Sequence, residues 1–513
     1  MTFTPEEKTV LKERIRLSET CLVDFRYYLL TNGKDEVRPP AYHYEWSDIL
    51  LREKDNFAVE AFREAGKGQI VLRSYPLHSL MFPSVNNDYI VLIKQNATLA
   101  SQKLLELETE YLTNPVLCAN LVKVQQKSAS IFSVDVKDAE GNIHNIRIEA
   151  YGKGSSIRGL SNVDRRPRIV ILDDPQDTED ARSDTVLEAD WNWFLGDVMF
   201  LGQKTRIFLI GNNLGEKCII ERVFNSAKEL GFQTRKIAIL DDNGNSNWPE
   251  KFPLSGINKQ KESFSSLGQI DVWMRERMCV ATSEETRVFN LKDFPRYSYL
   301  YVENIIRGHN IFITVDPASS TKNTSDYRAI CVNAVSEQNI WTIIDFPYGR
   351  WKSDEFIDQL FNTVIKWTPY LSGSRRLPVG IEKGHFKQVL EPFIYKEMQR
   401  RNVYFDIREI EHVSIGSKLE RVKMLSPLVK AHSIQLPEQS IWLSELECEL
   451  TGVTKDGFKS LNDDLIDALA MQQQIAQSPV AGRQNRSAII EEVPASAYHP
   501  LSSKYDKEYS GVL

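Results

Sequence analysis

The stretch IFITVDPASSTKNTSDYRAICVNAVSEQNIWTIIDF, residues 311–346, contains three runs of apolar residues separated by polar segments. The runs cover 311–315, 329–335 and 340–346, and a tight polar turn at 336–339 joins the last two. Short apolar and β-branched runs bounded by turn residues are typical of buried strands. The stretch therefore predicts three strands that form an antiparallel meander.

Helices and strands alternate after this meander. The pattern predicts an amphipathic helix capped by Ser353, a strand at 378–382, a helix, a strand at 403–410, and helices at 417–431 and 463–474. The order and lengths of these elements match the RNase H architecture, a mixed sheet flanked by helices. We therefore expect an RNase H-like, resolvase-type domain in the C-terminal half.

The N-terminal half also alternates between apolar runs and helical patterns. Strands are predicted at 57–61, 89–94, 146–150, 168–172 and 205–211, with helices at 66–80, 97–112 and 182–199 between them. Such alternation predicts a mostly parallel sheet covered by helices on both faces. Ligands bind at the carboxyl ends of the strands in sheets of this kind. The fold class expected for the whole chain is α/β, with a P-loop ATPase-like first sheet.

The length of 513 residues favours two domains with appendages. A polar cluster at 241–247 and a long predicted helix at 255–278 lie between the two halves, and the chain after 476 is polar and broken by Pro and Ser. The predicted limits are a helical lead-in at 1–56, an ATPase domain at 57–250, a linker region at 251–300, a nuclease domain at 301–476 and a flexible tail at 477–513.

The composition is that of a folded protein, with 42% hydrophobic and 26% charged residues and a net charge of −7. The acidic total argues against a protein that coats nucleic acid, but it allows a local basic groove. The six cysteines are widely spaced and form no CxxC pair, which excludes a disulfide framework or a zinc site. Neither a signal peptide nor a membrane span is evident, so we expect a cytoplasmic protein without membrane contact.

Acidic residues stand at the ends of two predicted strands and in the last helix of the C-terminal half. Asp316 follows the first strand, Glu382 ends the fourth, and Asp464 and Asp467 share one helix face. Two-metal hydrolysis of phosphodiesters uses carboxylates that converge on ions about 4 Å apart. Without metal the acids would repel one another and raise their own pKa values. The conjunction predicts a nuclease site, although each acid alone is as typical of a turn or a solvated helix face.

A glycine-containing turn, AFREAGKG at 61–68, lies between a predicted strand and a helix, where a phosphate-binding loop belongs. Backbone amides around Gly66 would surround the phosphates, and Lys67 would contact the outer two. The pattern departs from GxxxxGK[ST], because Ala61 replaces the first glycine and Gly68 replaces the hydroxyl residue. An ordinary turn is the alternative interpretation.

The segment RIVILDDP at 168–175 is an apolar strand that ends in two acids, the layout of a Walker B element. Asp173 would bind Mg²⁺ through water, and Asp174 would polarise the attacking water. A buried strand that ends in a capped turn is the alternative.

The quoted motifs of the C-terminal half resemble the nuclease domain of tailed-phage terminase large subunits. They are VDPA at 315–318, GIEKG at 380–384, KLERV at 418–422 and DDLIDALA at 463–470, the last of which also resembles Holliday-junction resolvases. The resemblance implies Asp316, Glu382 and Asp464 as metal ligands and Asp467 as a fourth. It also implies that Lys418 and Arg421 lie near the DNA phosphates.

The N-terminal half resembles terminase ATPase domains in Arg63, in the segment GKGSSIRG at 152–159 and in the strand that ends at 211–213. The resemblance implies that Arg63 contacts the γ-phosphate in cis. It implies a coupling motif at Gly211, Asn212 and Asn213, although the usual threonine or serine is absent there.

The resemblance to terminase large subunits implies ATP-driven translocation of double-stranded DNA into a procapsid and endonucleolytic cutting of concatemeric DNA. Implied cofactors are ATP with Mg²⁺ at the motor site and two Mg²⁺ or Mn²⁺ ions at the nuclease site. Implied partners are double-stranded DNA, a small terminase subunit and the portal protein of the procapsid. The chain would be a monomer when free and a homo-oligomeric ring when assembled, in the host cytoplasm and transiently at the portal vertex.

Two other functions remain open on the sequence. The first is an RNase H-like nuclease or recombinase with an inactive ATPase-like domain, which the departures at Ala61 and Gly68 favour. The second is a DNA-gripping scaffold without enzymatic activity, which leaves the acidic residues unexplained.

Overall fold

The computed structural model describes residues 4–33, 37–162, 164–281, 286–317, 327–371, 376–383, 390–411 and 416–479. The last residues of two quoted motifs, at 318 and 384, and the predicted tail from position 480 onward lie outside the described residues.

The first sheet has eight strands in the order β3-β4-β5-β2-β6-β7-β1-β8. Strands β5, β2, β6, β7, β1 and β8 are parallel to their neighbours, and β3 and β4 add an antiparallel hairpin at one edge. The strands are β1 (Asn56–Ala61), β2 (Tyr89–Lys94), β3 (Leu121–Lys127), β4 (Ile131–Lys137), β5 (Ile143–Gly152), β6 (Ile169–Asp173), β7 (Arg206–Gly211) and β8 (Phe232–Ile237). The mostly parallel sheet predicted for this half is confirmed.

Ten helices lie in this half of the described chain, and their apolar residues pack on the sheet. They are α1 (Pro5–Glu19), α2 (Leu22–Leu29), α3 (Ala41–Arg52), α4 (Tyr75–Met81), α5 (Ala97–Thr113), α6 (Asp184–Trp193), α7 (Ile219–Asn225), α8 (Ala227–Leu230), α9 (Leu254–Ser266) and α10 (Ile270–Met278). Two π-helical turns, Gly68–Ser74 and Phe194–Val198, precede α4 and follow α6.

The second sheet has the order β15-β14-β10-β11-β12-β16-β9, and β13 pairs with β11 outside this path. The strands are β9 (Arg296–Tyr297), β10 (Asn310–Asp316), β11 (Arg328–Val335), β12 (Trp341–Asp345), β13 (Tyr348–Gly349), β14 (Pro378–Glu382), β15 (Asp406–Ile410) and β16 (Ile434–Pro437). The helices are α11 (Val302–Ile305), α12 (Ser353–Trp367), α13 (Glu391–Arg401), α14 (Lys418–Lys423), α15 (Ser426–Lys430), α16 (Leu443–Gly452) and α17 (Asp464–Met471).

The meander of β10, β11 and β12 is antiparallel, and β14 lies parallel to β10, as the sequence predicts for an RNase H-like sheet. The predicted α/β fold class is therefore confirmed in both halves. Strand β16 and helix α16 are additions that the sequence analysis did not predict.

Three predicted helices are interrupted at identifiable residues. The helix expected at 255–278 breaks between α9 and α10 at Gly268, whose φ is +65°. The helix expected at 417–431 ends at Lys423, and α15 restarts with Pro427 in its first turn, where proline is tolerated. The helix expected at 182–199 is α-helical only to Trp193 and then widens into the second π-helical turn.

Helices α9 and α10 lie within the segment 251–300 that was expected to connect the halves, and they contribute Ile257, Trp273 and Met274 to the core of the first sheet. The Lys261 ammonium of α9 is 2.5 Å from the Glu445 carboxylate of α16. The segment is therefore packed against both halves. None of the described helices is long and apolar enough to cross a membrane.

Candidate active sites

The loop after β1 contains a glycine whose backbone no other residue adopts easily. Gly66 has a φ of +90°, and a Cβ placed there would lie 2.5 Å from Nε2 of His43. The same Nε2 lies 2.7 Å from the carbonyl oxygen of Ala65. The left-handed backbone and the histidine contact together require glycine at position 66.

Lys67 is nearly buried, and its Nζ donates to the carbonyl oxygen of Ala61 at 2.6 Å and to Oδ1 of Asn212. The amide of Asn212 in turn donates to Oε2 of Glu276 at 3.2 Å. This chain of hydrogen bonds joins the loop after β1, the end of β7 and α10. The structure thus brings together Lys67 and the middle residue of the expected coupling motif.

The two acids at the end of β6 lie near the same loop because only β7 lies between β6 and β1 in the sheet. Asp173 is paired with Lys94 from the end of β2. Burial, followed by the charge of Asp173, raises the pKa of Asp174, while Lys67 and Lys94 oppose that rise. Gly211 lies beside Asp174, and a Cβ there would make an ordinary contact of 3.4 Å with Oδ1 of Asp174.

Arg63 extends into solvent, with 72% of its side chain exposed, and its Nη1 lies 3.7 Å from Oε2 of Glu276. Its backbone is held by α10: the Arg63 amide donates to the Glu276 carbonyl at 2.8 Å, and Nη1 of Arg277 donates to the Arg63 carbonyl at 2.7 Å. The structure therefore places Arg63 at the rim of the loop. The end of α10 fixes its position.

Gly68 and Asn213 differ from what a Walker motor normally offers. A Cβ at Gly68 would meet nothing within 4 Å, so a larger residue would fit there. Glycine itself offers no hydroxyl to a metal ion. The amide of Asn213 donates to Glu221 at 2.9 Å, and its Oδ1 accepts from the Gly215 amide at 2.9 Å. Asn213 therefore fixes the turn after β7, and these bonds do not connect it with the loop after β1.

The acids of the second sheet lie at the ends of neighbouring strands. Val315 of β10 is in register with Ile381 of β14, so Asp316 and Glu382 follow at adjacent strand ends. Helix α17 packs against β10 and β11. The Thr314 hydroxyl donates to the carbonyl oxygen of Ala468 at 2.5 Å and fixes the register of α17 on β10. This contact brings the first turn of α17 to the end of β10.

The first turn of α17 carries acids that already have partners. Oδ2 of Asp464 accepts from the Tyr327 amide at 3.0 Å. Both carboxylate oxygens of Asp467 accept from Nη2 of Arg421 at 3.1 Å. Both acids therefore accept hydrogen bonds from other groups of the protein.

The ammonium of Lys418 lies among several acids. It donates to Oδ1 of Asp463 at 2.7 Å and lies 3.6 Å from Oδ2 of Asp467. Burial alone would lower the pKa of Lys418, but the charges of Asp467, Asp316 and Asp463 outweigh it and raise that pKa. The two residues implied as DNA contacts, Lys418 and Arg421, therefore bind acids of the protein itself.

The donor set fits a hard divalent cation, because carboxylate oxygens are the ligands that Mg²⁺ and Mn²⁺ prefer. Within the described part of the chain, however, no three His, Cys, Asp or Glu side chains are close enough together to hold one ion. Ion binding by Asp316, Glu382 and Asp464 therefore requires their side chains to turn toward one another.

Comparisons with known proteins give matches among solved structures. The chain matches the HK97 bacteriophage large terminase with a TM-score of 0.35 and 10% identity over 88% of this chain and 98% of that chain. It matches the Thermus phage P74-26 large terminase ATPase domain with a TM-score of 0.32 and 13% identity over 48% and 99% of the two chains. It matches the human cytomegalovirus terminase nuclease domain, soaked with Mn, with a TM-score of 0.28 and 12% identity over 37% and 95%.

The matched structures include both terminase ATPase and terminase nuclease domains. No protein-family model and no curated protein matches the chain.

Several residues of the two sites were not predicted from the sequence. Glu276 and Arg277 lie in a segment interpreted as a linker, and Lys94 ends an ordinary apolar strand. Glu449 is fully buried on α16, and its Oε2 accepts from the Ile466 amide at 2.8 Å in α17. Burial, with a smaller contribution from the charge of Glu445, raises the pKa of Glu449 well above its usual value. Helix α16 alternates apolar residues with three glutamates, LSELECELTG, so its sequence does not distinguish Glu449 from Glu445 and Glu447.

Proposed function

We propose that the chain is the large subunit of a viral DNA-packaging machine, with an ATPase in the first half and a divalent-metal endonuclease in the second. One observation carries this proposal. The first half of the chain carries a loop lysine, Lys67, and two acids at the end of a strand in a mostly parallel sheet. The second half carries acids at the ends of two neighbouring strands and in a helix of an RNase H-like sheet. The first set suits phosphoryl transfer from a nucleotide, and the second suits cutting of a nucleic acid.

In the motor site, the loop after β1 would hold the nucleotide phosphates against its backbone amides and Lys67. Nζ of Lys67 donates to Oδ1 of Asn212 in the structure. A bound phosphate would replace that amide oxygen as the acceptor of the Lys67 hydrogen bond. Asn212 also donates to Glu276 of α10. Loss of the Lys67 hydrogen bond would therefore couple nucleotide binding to α10, which packs on the second half. Asp173 would hold the magnesium shell, Asp174 would orient the attacking water, and Arg63 would add positive charge at the rim.

In the nuclease site, Asp316, Glu382 and Asp464 would hold the metal. A bound divalent ion polarises the scissile phosphate and lowers the pKa of its water. The protein contributes by fixing the acids on rigid elements: two neighbouring strands and a helix whose register the Thr314 hydroxyl sets. We propose double-stranded DNA, a small terminase subunit and a procapsid portal as partners, and a ring of copies as the assembled form.

Cleavage of supercoiled plasmid with Mn²⁺ tests the nuclease half. Wild type is expected to cut, whereas D316N and D464N are expected to lose cleavage while they remain folded. The control is D406N, which changes a partly exposed acid at the start of β15, in register with Pro378 and therefore at the other end of the strands from Glu382. Full cleavage by D316N or D464N would contradict the metal assignment.

ATP hydrolysis with and without DNA tests the motor half. K67A is expected to abolish hydrolysis, and K204A, an exposed lysine before the amino end of β7, serves as its control. An RNase H-like nuclease with an inactive ATPase-like domain is the second candidate, favoured by the missing hydroxyl at Gly68. ATP hydrolysis that depends on Lys67 and rises with DNA would support the motor function. No ATP hydrolysis in the assembled complex would support the second candidate.

A further inference from the structure

The loop after β1 has a backbone conformation at Glu64 that side chains disfavour. The Ala65 amide donates to the Phe62 carbonyl at 3.1 Å and closes a turn in which Glu64 is the third residue. Glu64 has a φ of +72°. Glycine normally adopts a positive φ at the third residue of such a turn, because a Cβ there comes too close to the following carbonyl oxygen. Contacts from outside the turn must therefore hold Glu64 in this conformation.

Arg277, in the last turn of α10, makes such contacts. Its Nη1 donates to the carbonyl oxygen of Arg63 at 2.7 Å, and its Nη2 lies 3.3 Å from Oε2 of Glu64. The Arg63 carbonyl belongs to the planar peptide unit that precedes Glu64, so the orientation of this carbonyl determines φ at Glu64. The Arg277 guanidinium therefore holds the groups on both sides of the bond about which φ turns.

Arg277 is itself held by several parts of the first half. Its side chain is only 13% exposed, and its Nε donates to Oε1 of Gln260 in α9 at 2.9 Å. Its guanidinium carbon lies 5.5 Å from the centre of the Phe252 ring. Its backbone carbonyl accepts from the Ile239 amide at 2.7 Å, shortly after the end of β8. Arg277 thus connects the loop with α9 and with the edge of the first sheet.

The conformation at Glu64 affects phosphate binding because the two residues that follow Ala65 would supply the amides. Gly66 has a φ of +90° and Lys67 a φ of −44°. Successive left-handed and right-handed residues turn their amides toward one side, and the resulting concavity binds anions. A different φ at Glu64 would redirect the chain just before these two residues.

We propose that Arg277 is a positioning residue for the nucleotide: it holds Glu64 in the conformation that presents the Gly66 and Lys67 amides to a phosphate, and it thereby sets nucleotide affinity. Arg277 needs no contact with the nucleotide to do so. This inference rests on the proposed ATPase function. It also gives a reason for glutamate at a turn position that favours glycine, since the Glu64 carboxylate is one of the groups that Arg277 binds.

The test measures ATP affinity and melting temperature of full-length variants by calorimetry. R277M keeps the apolar stem of the side chain and removes its donors. It is expected to weaken ATP binding roughly fivefold to thirtyfold, the equivalent of the penalty on one left-handed residue. The double variant R277M/E64G is expected to bind ATP within about twofold of wild type, because glycine adopts a positive φ without that penalty. R277M/E64A should stay as weak as R277M, because alanine removes the carboxylate and keeps the Cβ.

R222M is the matched control. Arg222 of α7 also pairs with a glutamate and lies over an aromatic ring, but these partners are Glu188 and Trp191, outside the loop. Its ATP affinity is expected to equal that of wild type.

The outcomes separate this inference from the proposed function. Absence of ATP binding by wild type, or ATP binding that K67A leaves unchanged, would overturn both. Binding that depends on Lys67 but is unchanged in R277M would overturn the inference alone. Weak binding by R277M that E64G does not restore, or that E64A restores equally well, would show a merely structural role for Arg277 and would also overturn the inference. If R277M does not fold, R277K replaces it, since a lysine lacks the fixed fork of donors, and the same comparison of E64G with E64A decides.

Discussion

The proposed ATPase function of the first half is tested most sharply by adding, at Gly68, the hydroxyl that a Walker loop normally offers. Gly68 begins the π-helical turn after the loop, and a Cβ there would meet no atom within 4 Å. Threonine therefore fits without strain, and its effect on folding should stay within about 0.5 kcal/mol. A hydroxyl that binds Mg²⁺ should contribute about 1–3 kcal/mol, the usual effect of completing one polar contact. This range corresponds to roughly fivefold to 150-fold tighter ATP binding.

Calorimetric titration of MgATP into wild type, G68A and G68T measures this effect. G68A adds the Cβ without the hydroxyl, so it separates backbone stiffening from metal binding. We expect G68A to bind ATP like wild type and G68T to bind it more tightly, and the gain should shrink when Mg²⁺ is omitted. Equal affinities of G68T and G68A in the presence of Mg²⁺ would refute the assignment of residues 61–68 as a phosphate loop.

Three further predictions concern folding. G66A should lower the free energy of unfolding by at least about 1 kcal/mol in urea, because it combines a left-handed backbone with a His43 clash; wild-type stability would contradict this. Burial raises the pKa of Glu60 to about 7, so folding favours its protonated form and the chain loses stability as pH rises from about 4.5 through 7. E60Q should nearly match wild type at pH 4 and exceed it by about 3 kcal/mol at pH 8, and parallel pH profiles would exclude the effect. D467N should cost about 2–4 kcal/mol, because it leaves the buried Arg421 without its carboxylate, and an unchanged melting temperature would show that this ion pair is not needed.

The sequence predicted the elements that have strong periodicity and the acids at their ends. Most residues of four strands of the first sheet, β1, β2, β6 and β7, are apolar. The polar residues that follow these strands are conspicuous in the sequence for that reason. The same contrast located Asp316 and Glu382, and the meander that begins at β10 fixed which strand ends are neighbours.

The rest could not be predicted because it depends on contacts between distant segments. Strand β3 is exposed along nearly all its length, so it lacks an apolar pattern. Glu276 reaches Asn212 and Arg63 from a helix that no local rule connects with the loop. Which partner Lys418 would have was also beyond the sequence, since a lysine in a helix start is equally suited to solvent, DNA or an acid.

The balance of charge in the two sites changes what their acids imply. Repulsion among clustered carboxylates suggested that only a metal ion would make such a cluster favourable. The structure shows that the chain supplies counter-charges itself, with Lys94 on Asp173 in the first half and Lys418 and Arg421 on Asp467 in the second. These ion pairs oppose the repulsion that clustered carboxylates would otherwise exert on the folded protein. It follows that basic residues paired with these acids are poor candidates for DNA contacts, and that the proposed DNA-binding surface is better sought among cations elsewhere on the protein.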